Sequence, residues 1–185
     1  RRPRCDDDRM TAPVLHEAGL FPTAAATGDF DGNGVPDIAV ASAGDRTVRT
    51  ILRGEDGAAL RTGQTPVREG LGLTAGDVNG DGRTDLLTGG EGGSSFDVLL
   101  NRGDGTFERR EQGGAAGPIA IALWDLNRDG KMDAVVAELA KNVVSTWRGD
   151  GGGTFTRTGE VSAGRAPWNV AIADVTGDGH PDVVG

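Results

Sequence analysis

Four nine-residue segments of this chain place oxygen-bearing side chains at the same positions. Positions 1, 3, 5 and 9 carry Asp, Asn or Thr, position 6 is Gly, and the carbonyl of position 7 is predicted to turn inward. Alternate side-chain oxygens and one backbone carbonyl are the ligands of a calcium loop, and glycine permits its sharp turn. The predicted ligands are Asp29, Asp31, Asn33, Val35 and Asp37; Asp77, Asn79, Asp81, Arg83 and Asp85; Asp125, Asn127, Asp129, Lys131 and Asp133; and Asp174, Thr176, Asp178, His180 and Asp182.

The ligand chemistry favours calcium. The side-chain ligands offer carboxylate, amide and hydroxyl oxygen without thiolate or imidazole, and hard cations prefer oxygen. Position 12, where an EF-hand loop needs a bidentate Glu, holds Val40, Thr88, Val136 and Gly185. We therefore predict about four calcium ions, one per loop, in loops that join two strands.

A simpler interpretation is that the Asp-Gly and Asn-Gly pairs form turns without any metal. A turn needs one or two such residues, whereas each segment has an acidic residue at both ends and three carboxylates in all. This excess of charge favours a cation. Thr176 at position 3 and Asn33 at position 5 are expected to alter their two sites somewhat.

The segments belong to an internal repeat. Their first aspartates, at 29, 77, 125 and 174, are 48, 48 and 49 residues apart. A period of this size indicates a propeller, a solenoid or an array. Apolar runs and Asp-Gly turns predict short antiparallel strands. The predicted strands cover residues 14–18, 23–27, 37–42, 47–53, 58–62, 85–88, 96–101, 106–110, 133–138, 143–148 and 154–158, with tight turns at 55–57, 104–105 and 150–153.

These patterns predict an all-β fold of propeller blades, each with four antiparallel strands and a calcium loop between the first two. Small residues at 24–26, 119–122 and 170–173 suit inner strands, where neighbouring blades crowd together. A linear β-array is the alternative. The chain supplies three complete blades and the first two strands of a fourth. It therefore belongs to a larger ring, or it forms a half-ring that a second copy completes, because open blade edges are rarely tolerated.

Composition limits the classes of partner. The net charge of −9 disfavours nucleic acid and anionic membranes, and four calcium ions would leave about −1, so the acidity is better explained as ligand charge. No apolar run approaches the ~18 residues of a membrane span. The start, residues 1–4, lacks the apolar part of a signal peptide, so we expect a processed exported protein or an internal piece. Cys5 stands alone, free or paired outside this chain.

The chain also resembles a known family. Gly117-Pro118 and Ala166-Pro167 before inner strands, the repeated loop, and the outer hairpin from Asn101 to Phe107 are similar to the FG-GAP/VCBS repeats of integrin α-subunit-like propellers. The resemblance covers residues 13–185, with residues 1–12 as a tail or linker. It implies a calcium-stabilised seven- or eight-bladed propeller in secreted or surface-anchored proteins that bind sugars or proteins. The first repeat lacks the hairpin Phe and the second lacks the Pro.

Three further motifs have a structural interpretation beside a functional one. The two Arg-Gly-Asp tripeptides, residues 102–104 and 148–150, suggest cell adhesion, but both lie where the repeat requires a Gly-Asp-Gly hairpin. Trp124, Trp147 and Trp168 could stack on a sugar, and interblade packing is the favoured role. Two His residues, no Tyr and no recognisable nucleophile disfavour catalysis.

The sequence therefore predicts a calcium-binding, non-enzymatic, extracellular or cell-surface module that recognises a protein or a carbohydrate. One alternative is a structural or self-assembly module of a surface protein or an extracellular fibre, with further copies of itself as partners. A second alternative is the non-catalytic part of a secreted hydrolase. Nucleic acid binding and membrane insertion are not expected.

Overall fold

The computed structural model describes residues 15–55 and 58–184, and no helix occurs among them. The strands are β1 Pro22–Gly28, β2 Asp37–Ser42, β3 Thr47–Arg53, β4 Ala59–Pro66, β5 Gly72–Gly76, β6 Asp85–Gly89, β7 Ser95–Asn101, β8 Phe107–Gly113, β9 Pro118–Trp124, β10 Asp133–Glu138, β11 Val143–Gly149, β12 Phe155–Ser162, β13 Ala171–Ala173 and β14 Asp182–Val184. Within the described ranges no helix is long and apolar enough to cross a membrane.

The strands form three four-stranded sheets and one half-sheet. The orders are β1-β2-β3-β4, β5-β6-β7-β8 and β9-β10-β11-β12, with β13 and β14 as the half-sheet, and every pair is antiparallel. The first strands of successive sheets lie side by side. This confirms the four-stranded units and the position of each loop between the first two strands. The seven- or eight-bladed ring stays a prediction.

The core lies between successive sheets. In β7, Phe96, Val98 and Leu100 pack toward the third sheet, and Leu99 packs toward the first. Because side chains alternate across a strand, a strand covered on both faces buries all its side chains, and all of β7 is buried. Small side chains on the first strands, such as Ala24, allow the close approach of the next sheet.

The predicted strand over residues 14–18 is wrong. Residue 14 lies outside the described ranges, and residues 15–18 are irregular. Residues 15–17 line a cavity with Arg49 and Gln64, so the segment crosses the face of the first sheet. Strand pairing uses hydrogen bonds directed from the edge of a sheet, and a segment on the face cannot make them.

The outer strands β4, β8 and β12 are longer than predicted, since they run to Pro66, Gly113 and Ser162. Their polar residues hide the strand pattern in the sequence, but pairing with the buried third strand of each sheet extends them.

Of the turn predicted at 55–57, residues 56 and 57 lie outside the described ranges, as do the predicted tail at 1–12 and Cys5.

The predicted Gly-Asp-Gly hairpins are confirmed at residues 101–107 and 149–155. Asp150 Oδ1 accepts hydrogen bonds from the backbone N–H of Gly152 and Thr154, at 2.7 and 3.0 Å. Asp104 Oδ1 accepts from the hydroxyl and the backbone N–H of Thr106, at 2.6 and 2.9 Å. Both aspartates of the Arg-Gly-Asp tripeptides therefore hold turns.

These hydrogen bonds make the second hairpin sensitive to acid. Donation from Gly152 and then Thr154 lowers the pKa of Asp150. A carboxyl with a lowered folded-state pKa stabilises the fold above its unfolded pKa, and this contribution is lost as pH falls through the folded pKa. The free energy of unfolding is measured as a function of pH. We expect the Asp150→Asn variant to lose less stability than the native protein as pH falls. The control is Glu91→Gln, which removes an exposed charge outside the two Gly-Asp-Gly hairpins. An equal loss of unfolding free energy in acid for the native protein and both variants would contradict the role given to Asp150.

Candidate metal centres

The first aspartate organises the backbone of each loop. Asp29 Oδ1 accepts from the backbone N–H of Gly32 and Asn33, at 2.8 and 3.2 Å, and Oδ2 accepts from Gly34 at 2.8 Å. The carboxylates at the first position of the other loops accept hydrogen bonds in the same way: Asp77 from Gly80 and Gly82, Asp125 from Asp129 and Gly130, and Asp174 from Gly177, Asp178 and Gly179. The backbone is thus wound around one carboxylate.

Side chains at positions 3 and 5 are oriented by backbone groups two residues further on. In the second loop, Asn79 Oδ1 accepts from Asp81 N at 3.0 Å, and Asp81 Oδ1 accepts from Arg83 N at 2.9 Å. Position 5 of the other loops repeats this contact: Asn33 with Val35 N, Asp129 with Lys131 N and Asp178 with His180 N. These turns fix the side chains at the predicted ligand positions.

Two positions in each loop have positive φ. Position 6 is Gly in all four loops, with φ from 81° to 82°. Position 4 is Gly in three loops, but the third loop has Arg128 there with φ 62°. The left-handed region disfavours residues with a Cβ. The Arg128 guanidinium donates a hydrogen bond to the carbonyl of Gly179 in the fourth loop, which offsets part of this cost.

The aspartate at position 9 is buried in the three complete sheets, where Asp37, Asp85 and Asp133 are 0%, 0% and 2% exposed. One oxygen of Asp37 accepts from Phe30 N at 2.8 Å, and the other accepts from Arg53 N at 2.7 Å. The same two contacts recur at Asp85 with Val78 and Asn101, and at Asp133 with Leu126 and Gly149. This carboxylate therefore joins the start of the loop to the end of the third strand.

Electrostatics differ between the second and fourth loops. Burial raises the pKa of Asp85, and the backbone hydrogen bonds from Asn101 and Val78 lower it by less. The neighbouring carboxylates of Asp81 and Asp77 raise it further. A divalent cation among these groups would reverse the effect of the neighbouring charges. In the exposed fourth loop, the backbone N–H groups of Thr176 and Val175 lower the pKa of Asp182.

The first loop brings three carboxylates together. One oxygen each from Asp29, Asp31 and Asp37 lies within 4.8 Å of the other two, and no other such group of acidic, His or Cys side chains occurs in the described ranges. The remaining loops have Asn or Thr at position 3, where an amide or hydroxyl oxygen would replace the carboxylate. The converging carboxylates of the first loop fit a calcium ion, whereas the ligand sets of the other three loops and the carbonyls at position 7 stay predictions.

Position 2 of the first and second loops has a role that the predicted ligand pattern missed. The Phe30 carbonyl accepts from Gly105 N at 2.9 Å, and the Val78 carbonyl accepts from Gly153 N at 3.2 Å. Each contact joins a loop to the outer hairpin of the following sheet. The sequence signals the burial of this position, since it is apolar in all four loops and Phe30 and Val78 are buried, but it does not signal the carbonyl contact.

The tryptophans divide into two groups. Trp147 is 2% exposed and packs edge-on against Phe96, with ring centroids 5.5 Å apart. The packing prediction is confirmed for Trp147. It is wrong for Trp124 and Trp168, which are 45% and 66% exposed in the described structure.

A protein-family model described as an FG-GAP-like repeat matches residues 29–88, 77–136 and 125–185. Each matched segment begins at the first aspartate of a loop and extends beyond the next loop. No curated protein sequence matches the chain.

Two solved structures are similar in fold. The structure of the Photorhabdus luminescens Tc holotoxin pore matches 86% of this chain, with 19% identity and a TM-score of 0.52. The matched part is 8% of the toxin chain. The Vibrio cholerae biofilm matrix protein Bap1 matches 91% of this chain with 20% identity and a TM-score of 0.55, and the chain spans 29% of its length. At these identities the likeness concerns the fold.

Arg128 provides a test of the loop backbone. Arg128→Ala keeps a Cβ at positive φ and loses the hydrogen bond to Gly179, whereas Arg128→Gly removes the strain as well. We expect the Gly variant to be more stable to chemical unfolding than the Ala variant by about 1 kcal/mol. The matched control is the same two substitutions at Arg110, inside β8. There the Ala variant should be more stable than the Gly variant, because glycine weakens a strand. A more stable Ala variant at both positions would contradict the proposed strain.

Proposed function

The chain belongs to the FG-GAP-like repeat family, and we propose that it is a calcium-binding, non-enzymatic module of an exported protein that recognises a protein or a carbohydrate. The observation that carries this proposal is the repeated loop, whose first aspartate accepts backbone hydrogen bonds in the same way in all four copies and whose side-chain oxygens converge in the first copy. This convergence is the cluster of Asp29, Asp31 and Asp37 within 4.8 Å.

The charge of the loops supports a bound cation. Three carboxylates held a few ångströms apart repel each other, and burial of the ninth-position aspartate adds a desolvation cost. Calcium, when bound, would neutralise these groups. The residues of this chain would hold it through the side chains of positions 1, 3, 5 and 9 and the carbonyl of position 7, in each of the four loops.

The proposed role of the metal is structural. The ninth-position aspartate contacts the end of the third strand, so a cation at the loop would also stabilise the outer hairpin. Carboxylates held ionised by a cation are poor general acids, which supports a module without catalytic activity.

Export and recognition are proposed on weaker likenesses. Loops without a twelfth-position Glu suit the millimolar calcium found outside cells. One structural neighbour is described as a biofilm matrix protein, and we extend an extracellular setting to this chain by proposal.

Removal of two ligands from one loop tests calcium binding. Millimolar calcium is about ten times a dissociation constant of ~10⁻⁴ M, and at this ratio one site stabilises a fold by ~1.4 kcal/mol. We expect Asp77→Ala combined with Asp81→Ala to reduce the calcium-dependent gain in unfolding free energy by about this amount. Chemical unfolding in millimolar calcium and in chelator measures the gain.

The matched control is Glu91→Ala combined with Glu108→Ala, which removes the same charge from exposed positions outside the loops. It should retain the full calcium-dependent gain. An equal gain in native protein and the loop variant would rule out calcium binding at this loop.

A further inference from the structure

The linker into the third sheet closes the junction between the second and third sheets. It lies at the end of the strands opposite the candidate calcium loops, because neighbouring strands are antiparallel. Gly117 N donates to the Gly93 carbonyl in the second sheet's turn at 2.8 Å, and the Gly117 carbonyl accepts from Leu139 N at 2.9 Å. Ala140 N donates to the Ala116 carbonyl at 3.2 Å. Three backbone hydrogen bonds thus bind this linker to both sheets.

This closure requires the glycine at residue 117. Gly117 has a φ of 63°, in the left-handed region that favours glycine. An added Cβ would lie 2.9 Å from the Glu91 carbonyl oxygen and 3.2 Å from Ala140 N. One repeat of 48 residues earlier, Glu69 occupies the place of Gly117, and Gly70 occupies that of the following proline. Glu69 has no positive φ, so the linker into the second sheet takes a different path.

The linker into the second sheet lacks the equivalent backbone hydrogen bonds. Among the described residues, Glu69 N makes no bond to the preceding turn, and the N–H groups of Glu91 and Gly92 make none to a linker carbonyl. Gly92 N donates instead to Glu69 Oε2 at 3.0 Å. The side chain of Glu69 thus replaces one backbone contact, and the N–H groups of Glu69 and Glu91 stay available to a ligand.

An open cavity of about 310 Å³ lies at this junction, where the linker does not close it. Both sheets that flank the cavity have all four strands. Its volume is at the small end of the range of ligand pockets. The lining residues come from the turn of the first sheet, from the linker and from the turn of the second sheet: Ala43, Arg46, Glu69, Gly70, Leu71, Glu91 and Gly92.

The cavity combines charges of both signs with backbone donors. The Arg46 carbonyl accepts from Val67 N at 2.9 Å, which holds this residue beside the linker, and its guanidinium has no partner among the described residues. Glu69 Oε1 likewise accepts no hydrogen bond within the described ranges. An ion of either sign would be repelled by one of these two side chains. A hydroxyl group, which both donates and accepts, can bind to both.

We propose that this cavity binds a neutral carbohydrate. One ring hydroxyl donates to the Glu69 carboxylate, and a neighbouring hydroxyl accepts from the Arg46 guanidinium and the Glu91 N–H. The apolar C–H groups of the ring contact Leu71 and Ala43. This inference selects the carbohydrate among the ligand classes of the recognition function proposed above, and it rests on that function.

The first test is an array of immobilised neutral and acidic glycans, probed with the full chain in millimolar calcium. We expect binding to neutral glycans. The neutral glycan that binds most strongly is then titrated into isotope-labelled chain, and the amide resonances of Glu69, Glu91 and Gly92 should shift, whereas those of Gly32 and Gly80 in the calcium loops should not. Binding to no neutral glycan, or shifts confined to the loops, would overturn this inference.

Matched arginine variants test the polar contact. Arg46→Ala should weaken binding of the same glycan about tenfold, the effect of one hydrogen bond to a charged group. Arg102→Ala is the control, because it removes an exposed arginine at the opposite end of the strands that does not line the cavity, and it should bind like the native chain. Equal affinity of the native chain and Arg46→Ala would place the glycan elsewhere.

A third variant closes the cavity. Glu69→Gly combined with Gly70→Pro gives the second linker the Gly-Pro pair of the third sheet's linker. It should form the missing backbone hydrogen bonds and bind no glycan, without a loss of unfolding free energy. Glycan binding by this folded variant would overturn the assignment of the cavity.

Metal analysis of the same samples separates this inference from the proposed metal sites. All variants should bind as much calcium as the native chain, because the cavity and the loops lie at opposite ends of the strands. Calcium binding without glycan binding would overturn this inference and leave the metal sites standing. Glycan binding at the cavity without calcium binding would support this inference and contradict the metal sites.

Discussion

The fold depends on a buried carboxylate at the ninth position of the loop in each complete sheet. In the three complete sheets this aspartate accepts one backbone N–H from the loop and one from the end of the third strand. Hydrogen bonds to a charged group contribute about 1.5–3 kcal/mol each, and they offset the cost of burying the charge. The loop and the outer hairpin of one sheet are therefore held by the same side chain.

This arrangement couples the loops in series. Asp85 fixes the start of a hairpin at Asn101, and Gly105 of this hairpin donates to the Phe30 carbonyl in the preceding loop. Asp133 acts in the same way through Gly149 and Gly153 on the second loop. A cation that stabilises one loop would thus also stabilise its hairpin and the contact with the sheet before it. In this account calcium acts on the packing between sheets, although its ligands all lie within one loop.

Much of the architecture was predictable because the repeat is local. The spacing of 48 residues, the place of each loop between two strands and the Asp-Gly hairpins depend on neighbours in the sequence, and the structure has them where the pattern placed them. The errors concern contacts between distant residues. Residues 15–18 lie on the face of a sheet, and the exposure of Trp124 and Trp168 depends on which surfaces the sheets cover.

The same distinction applies to the candidate sites. The ligand positions follow from residue types, but the double role of Asp37 depends on Arg53, a residue in another strand. Arg128 breaks the glycine pattern of position 4, and its hydrogen bond to the fourth loop is visible only in three dimensions. Burial, which raises the pKa of Asp85, likewise comes from the packing of sheets and not from the loop sequence.

The most direct test of the central claim is the number of calcium ions bound per chain, measured by metal analysis after equilibrium dialysis. Dialysis at millimolar calcium is required, because extracellular sites bind with dissociation constants of about 10⁻⁴ to 10⁻³ M. The account predicts about four ions per chain, one for each loop. The comparison is a protein of the same net charge that has no such loops, dialysed under the same conditions. If this chain bound no more calcium than that protein, the claim that each loop binds an ion would be contradicted.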